Sequence, residues 1–177
     1  MITQLQKRSL IKLVKDTISD YLDGKAQQKN TSDIDLMSMR GAFVTLYKKG
    51  QLRGCIGHII AHKPLYYGIQ ELAIKSAFED TRFTPVQKGE KDDLLVEISI
   101  ISPVEKIKAP EDIKLGTHGL ILKNGSRAGV FLPQIPIEQG WDLPTFISEL
   151  CKKAGCSTSV LDDPKTEFLT FTAEVFS

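Results

Sequence analysis

No apolar run in this chain of 177 residues approaches the roughly 20 residues that a membrane-crossing helix requires. A spanning helix is therefore excluded. The first residues lack the apolar core of a signal peptide, because Lys7, Arg8, Lys12 and Lys15 are threaded through them. Cysteine is scarce: Cys55, Cys151 and Cys156 are an odd number at no disulfide-framework spacing. Reduced thiols in the cytoplasm are the expectation. Excess charge is also absent, since 23 Lys and Arg stand against 22 Asp and Glu for a net +1. That balance argues against a nucleic-acid binder relying on bulk charge, although a local patch fits within it. No internal repeat, low-complexity tract or linker interrupts the chain.

The composition is that of an ordinary soluble protein, 41% hydrophobic and 25% charged. A chain of this length buries roughly 70% of its unfolded surface, enough for a core without staples. One domain over residues 1–177 is expected, with room for two lobes.

Thr3 followed by Gln6 is a capping-box pattern. Leu10, Leu13, Val14, Ile18 and Tyr21 then recur at helical spacing up to Gly24, which predicts a helix over about 4–22. Residues 24–35 are polar and predict a loop. Ala42 to Tyr47 and Gln51 to Ile56 flank Lys48-Lys49-Gly50 as a hairpin. Pro64 opens a second helix that ends near Phe78 to Asp80. Leu94 to Ile101 reads as a strand with Val96, Ile98 and Ile100 on one face. Gly119 to Lys123 and Arg127 to Leu132 flank Asn124-Gly125, the strongest hairpin signal in the chain. Pro144 opens a third helix that Gly155 closes. Phe168 to Phe176 alternates as one half-buried strand. Three main helices with hairpins predict an α+β fold with a largely antiparallel sheet.

The segment Leu52-Arg53-Gly54-Cys55-Ile56-Gly57 stands out as a site. A thiol lies between two glycines that permit unusual angles or close approach. In a regular strand Arg53 and Cys55 share a face, and a cation beside a thiol favours the thiolate. Cys55 reads as a nucleophile, an attachment point or a soft ligand, or as a small buried hydrophobe. Arg53 offers a fork for a carboxylate or phosphate, with Gly54 and Gly57 adding backbone donors, or else pairs with Asp80 or Glu97. Asp80 and Arg82 line a cleft or fix their own loop, the second reading being slightly favoured. His118, at the mouth of a hairpin, is a candidate general base if the fold brings it near Cys55. Gln134, leaving a strand end, is a candidate ligand reader, and Trp141 a packing anchor. Cys55, His58 and His62 form an incomplete zinc-like string with no paired motif to supply a fourth ligand, so no metal is assigned. Cys151 lies on the apolar face of its helix and reads as core.

These residues together resemble the AMMECR family. The likeness runs from Gly41-Ala42-Phe43-Val44-Thr45-Leu46 through the Arg-Gly-Cys segment and Asp80-Thr81-Arg82-Phe83-Thr84-Pro85. It continues through Glu97-Ile98-Ser99, Gly116-Thr117-His118-Gly119-Leu120, Leu132-Pro133-Gln134, Trp141 and Leu150-Cys151-Lys152-Lys153-Ala154-Gly155. One departure is Thr81, where the family usually has proline, so a looser turn after Asp80 is expected. The resemblance implies a larger and a smaller lobe, a cleft near the Arg-Gly-Cys segment and an intracellular protein. It also implies genomic company with a Memo-like protein and a radical S-adenosylmethionine protein, as in the AmmeMemoRadiSam system.

Two functions fit. In the first, the chain is an enzyme or enzyme subunit in which Cys55 holds or attacks a small polar or anionic substrate. Arg53 and Arg82 orient it and His118 moves a proton. In the second, it is a non-catalytic binding or scaffold module for the same partners. Nucleic-acid binding is weaker than either. No cofactor is assigned, and nothing in the sequence selects a homodimer.

Overall fold

A computed structural model describes residues 2–107 and 112–177. The chain runs α1 (Gln4–Leu22), β1 (Ala42–Lys48), β2 (Gln51–His58), α2 (Leu65–Ile74), β3 (Leu94–Ile101) and β4 (Glu105–Lys106). It continues through β5 (Gly119–Asn124), β6 (Arg127–Phe131), α3 (Ile135–Glu138), α4 (Leu143–Lys153), β7 (Thr166–Phe171) and β8 (Ala173–Phe176). The fold is α+β with antiparallel sheets, and it divides into two compact units, Met1–Ile101 with Glu174–Ser177, and Ser102–Ala173.

The larger unit holds a four-stranded sheet in the order β2-β1-β3-β8. α1 begins where the sequence says: the Thr3 hydroxyl accepts the Gln6 N–H and the Gln6 side chain accepts the Thr3 N–H. Its apolar stripe, Leu10, Leu13, Val14 and Ile18, is buried with Ile69, Leu72 and Ala73 of α2 against Val44, Leu46, Ile98 and Ile100 of the sheet. Each such side chain contributes roughly 1.5–3 kcal/mol of burial. The β1–β2 turn is the two residues Lys49 and Gly50, both at positive φ (52° and 76°), as a tight hairpin demands.

The smaller unit holds a second sheet in the order β4-β7-β5-β6. Phe146, Ile147, Leu150 and Cys151 of α4 pack with Leu120 and Leu122 of β5. Asp142 caps α4 by accepting the Thr145 N–H, and Gly155 follows its end at φ 69°.

Two expectations need correction. The β5–β6 loop is Gly125-Ser126, because Asn124 still pairs with Arg127. The Asn124 amide instead donates to Asp163 Oδ2 and Thr166 Oγ1, both at 2.9 Å. The alternating run from Phe168 to Phe176 is not one strand. It breaks at Thr172, with β7 in the second sheet and β8 in the first. Period-two alternation is the same in both pieces, so the break leaves no trace in the pattern.

Candidate functional site

β2 lies at the edge of its sheet, and its pairing with β1 slips once. Leu46 faces Gly54 but Tyr47 faces Leu52, so Arg53 is left over as a bulge. The bulge interrupts the alternation expected to put Arg53 and Cys55 on one face. The Arg53 guanidinium forks onto Glu90, Nε to Oε1 at 3.2 Å and Nη2 to Oε2 at 3.0 Å, and donates to the Thr84 carbonyl at 2.8 Å. Its ion-pair partner is thus Glu90, not Asp80 or Glu97. Lys48 also reaches Glu90 at 2.7 Å. The Arg53 and Lys48 hydrogen bonds hold the Glu90 carboxyl down at about 2, against the opposing effect of burial.

Cys55 is gripped from outside the sheet. Its N–H donates to Asp80 Oδ2 at 2.9 Å and its carbonyl accepts from Arg82 Nη2 at 3.0 Å. Arg82 in turn donates to Asp80 through Nε at 2.9 Å and Nη2 at 2.7 Å. An acidic and a basic side chain thereby supply the acceptor and donor that a neighbouring strand would have supplied. Asp80 is 8% exposed. Arg82 first, and then the Cys55 and Arg82 N–H groups, hold its carboxyl far below the usual range although burial opposes this. The Arg82 side chain remains 56% exposed. Cys55 itself is half-buried, and its Sγ lies 3.2 Å from Thr45 Oγ1 on β1.

α2 passes directly into a π-helical turn, Lys75–Glu79, which ends at Asp80. Such turns recur at functional sites. The turn aims two side chains at β2. Asp80 takes the Cys55 N–H, and Ser76 Oγ takes the Ile56 N–H at 3.0 Å while donating to the Val44 carbonyl at 2.8 Å. Gly54 and Gly57 serve close approach and not unusual angles, since neither has positive φ. A Cβ on Gly54 would stand 2.0 Å from the Ser76 carbonyl oxygen, and one on Gly57 would stand 2.2 Å from the Phe43 ring. Thr81 does not leave the next turn open: the Phe83 N–H donates to the Asp80 carbonyl at 3.0 Å and the Arg82 N–H to Asp80 Oδ1 at 3.2 Å.

Cys55, Asp80, Arg82, Gly54 and Gly57 are therefore neighbours, with Arg53 turned to Glu90. His118 and Gln134 belong to the other unit. His118 Nδ1 accepts the Lys114 N–H at 3.2 Å, closing its own turn. Gln134 is exposed and its carbonyl accepts the Ile137 and Glu138 N–H groups of α3. His58 and His62 do meet, ring centroids 4.2 Å apart, but His58 lies three positions along β2 from Cys55 and so alternates to the opposite face. Among the described residues no group of three His, Cys, Asp or Glu is placed to hold a metal. Cys151 is fully buried, and burial pushes its thiol pKa up. Trp141 packs on Phe131 at 5.5 Å between ring centroids.

Sequence reasoning missed Thr45, Ser76 and Glu90. None carried a usable signal: Thr45 faces Cys55 only because the Arg53 bulge shifts the hairpin register by one.

The fold and this node define an α+β protein of two antiparallel sheets with one cysteine clamped at a sheet edge. The family model described as AMMECR1 matches residues 11–176, and the chain belongs to that family. A protein of Methanothermobacter thermautotrophicus is 39% identical over 177 residues, covering 96% of this chain and 92% of its own length. Protein NEQ441 of Nanoarchaeum equitans is 36% identical over 176 residues, covering 95% and 98%. The crystal structure titled Uncharacterized Protein PH0010 from Pyrococcus horikoshii matches with a TM-score of 0.82 at 37% identity, covering 94% of this chain and 88% of that one. Among the described residues no helix is long and apolar enough to cross a membrane.

Proposed function

We propose that this chain is a cytoplasmic enzyme subunit that works with a Memo-like protein and a radical S-adenosylmethionine protein, and that Cys55 is its acting group. One observation carries the reading. A nearly buried carboxylate and a guanidinium fix both backbone polar groups of Cys55, yet the residue is not sealed from solvent. Charged side chains spent on holding one residue's backbone are a means of presenting its side chain in a set place. In this role Sγ holds or attacks a small polar substrate. The exposed part of Arg82 orients an anionic group on it, as a planar fork does. Arg53 supports the strand through Glu90, and His118 is not required. The three thiols are unpaired, which suits a reducing compartment.

Alkylation of the native chain with iodoacetamide tests this. Cys55 is expected to label at least tenfold faster than Cys151 and Cys156, which are 0% and 8% exposed, because access limits thiol reaction. Cys55→Ala is expected to abolish the function of the whole system when it replaces the native gene. Equal labelling, together with a fully functional Cys55→Ala, would sink the proposal.

A binding module for the same partners is the second reading. It is favoured by the way the ion pairs of Arg53 and Asp80 close within the chain. Co-purification of both partners with the Cys55→Ala protein, and undiminished function, would select it.

A further inference from the structure

Among the described residues of the larger unit, Glu97 is the one carboxylate that is neither exposed nor bonded. The others that are not exposed accept from a lysine, an arginine or an amide, as Asp20, Asp33, Glu71 and Glu174 do.

Strand register fixes where this carboxylate stands. Thr45 on β1 faces Cys55 on β2 and Glu97 on β3. The three share one face of the sheet, the face opposite the core residues Val44, Leu46, Val96 and Ile98. The contact of 3.2 Å between Thr45 Oγ1 and Cys55 Sγ is the first step of this row. Neighbouring strands lie about 4.8 Å apart, so Glu97 stands roughly 10 Å from Cys55. Phe43 and Tyr47, two positions to either side of Thr45, put half-buried aromatic side chains on the same face. Arg82 lies on the other side of Cys55, beyond the sheet edge, where it holds the Cys55 carbonyl.

A half-buried carboxylate without a partner has lost part of its hydration and gained no bond in return. A cation offsets that loss. A carboxylate flanked by aromatic rings is a set that takes an ammonium group, by charge-assisted hydrogen bonding and by attraction to the ring faces.

Resting on the Cys55 reading above, we propose that the substrate is a zwitterion. Its anionic group lies on Arg82, its protonated amine lies on Glu97, and the atom that meets Sγ stands between them. Glu97 is then a residue that determines specificity, because an anion of the same size without the amine leaves it unpaired.

Labelling of Cys55 in the full chain by 2-aminoethyl methanethiosulfonate, a cation, and by ethyl methanethiosulfonate, which lacks the charge, tests the proposal. Each reagent forms an S–S bond to Sγ and expels methanesulfinate, and peptide mass spectrometry separates Cys55 from the buried Cys151 and Cys156. The cation-to-neutral rate ratio is expected to fall about three- to tenfold in Glu97→Gln, the pull of one unit charge roughly 6 Å from the ammonium in a partly solvated site. The neutral rate is expected to stay the same. On the unaltered chain the ratio is expected to fall as salt rises, whereas Arg82 and the net charge of +1 alone would make it climb. An unchanged ratio in Glu97→Gln, or a ratio that climbs with salt, would overturn the proposal, and the salt series decides if the variant does not fold. Either result leaves Cys55 labelled and the Cys55 reading standing. Failure of both reagents at Cys55 would overturn that reading and this one together.

Discussion

A methyl group added at Gly54 would stand 2.0 Å from the Ser76 carbonyl oxygen, and one added at Gly57 would meet both the Phe43 ring at 2.2 Å and the Ala42 carbonyl oxygen at 2.5 Å. Gly54→Ala and Gly57→Ala are therefore each expected to cost about 2–4 kcal/mol. Thermal unfolding midpoints check this, and a loss below about 1 kcal/mol for Gly54→Ala would refute its assignment to strand–helix contact. At this scale the Arg-Gly-Cys segment was legible as a special place but not in its workings. Two glycines beside a thiol signal close approach, yet nothing in the sequence says what approaches. Arg53 reads as an anion binder or as a partner of Asp80 or Glu97, and its actual partner, Glu90, is not legible because it sits 37 positions away in a polar stretch without period. Its bulge was equally hidden, since one extra residue in a strand changes pairing and not composition.

An edge strand offers unpaired N–H and C=O groups, and β2 has its outward pair at Cys55 covered by Asp80 and Arg82. Cys55 and Ile56 are consecutive, yet their amides are guarded by different side chains of the same π-helical turn, Asp80 and Ser76. The two guards separate experimentally. Asp80→Ala is expected to speed hydrogen exchange at the Cys55 amide about tenfold, the loss of one charge-assisted bond, while Ile56 stays protected. Ser76→Ala should reverse the pattern. Joint acceleration of both amides in either variant would mean that the turn unfolds as a unit and guards neither separately. The elements themselves were largely legible. Three helices and the two hairpins follow from 3.6- and 2-residue periods with caps and turns at their ends. The π-helical turn was not, because a one-residue insertion in a helix leaves the apolar spacing almost unchanged. Nor was the division between β7 and β8, which hydrophobic alternation cannot register.

Acid should act unevenly on the molecule. Glu71 and Glu90 are both held down at about 2 by lysine and arginine hydrogen bonds, and Asp80 is lowered further still. All three lie in the unit Met1–Ile101 with Glu174–Ser177. Each folded value is below that of the free side chain. The stabilisation is therefore complete above about pH 4.5, the ordinary glutamate range, and drains away as pH falls toward 2. In the unit Ser102–Ala173 the lowered carboxylates, Asp142, Asp163 and Glu167, belong to surface caps and pairs, which carry little stability. The aromatic residues divide in the same way. All four tyrosines, Tyr21, Tyr47, Tyr66 and Tyr67, are in the first unit and the one tryptophan, Trp141, is in the second. Between pH 5 and pH 2, near-ultraviolet tyrosine dichroism is thus expected to collapse at a higher pH than tryptophan emission shifts. Glu90→Gln, with Arg53 left unpaired, should lower stability at pH 7 by about 1–3 kcal/mol and flatten the acid dependence of the tyrosine signal without moving the tryptophan one. Coincident transitions in the native chain, or a Glu90→Gln protein with the native acid slope, would show that these carboxylates do not govern acid stability.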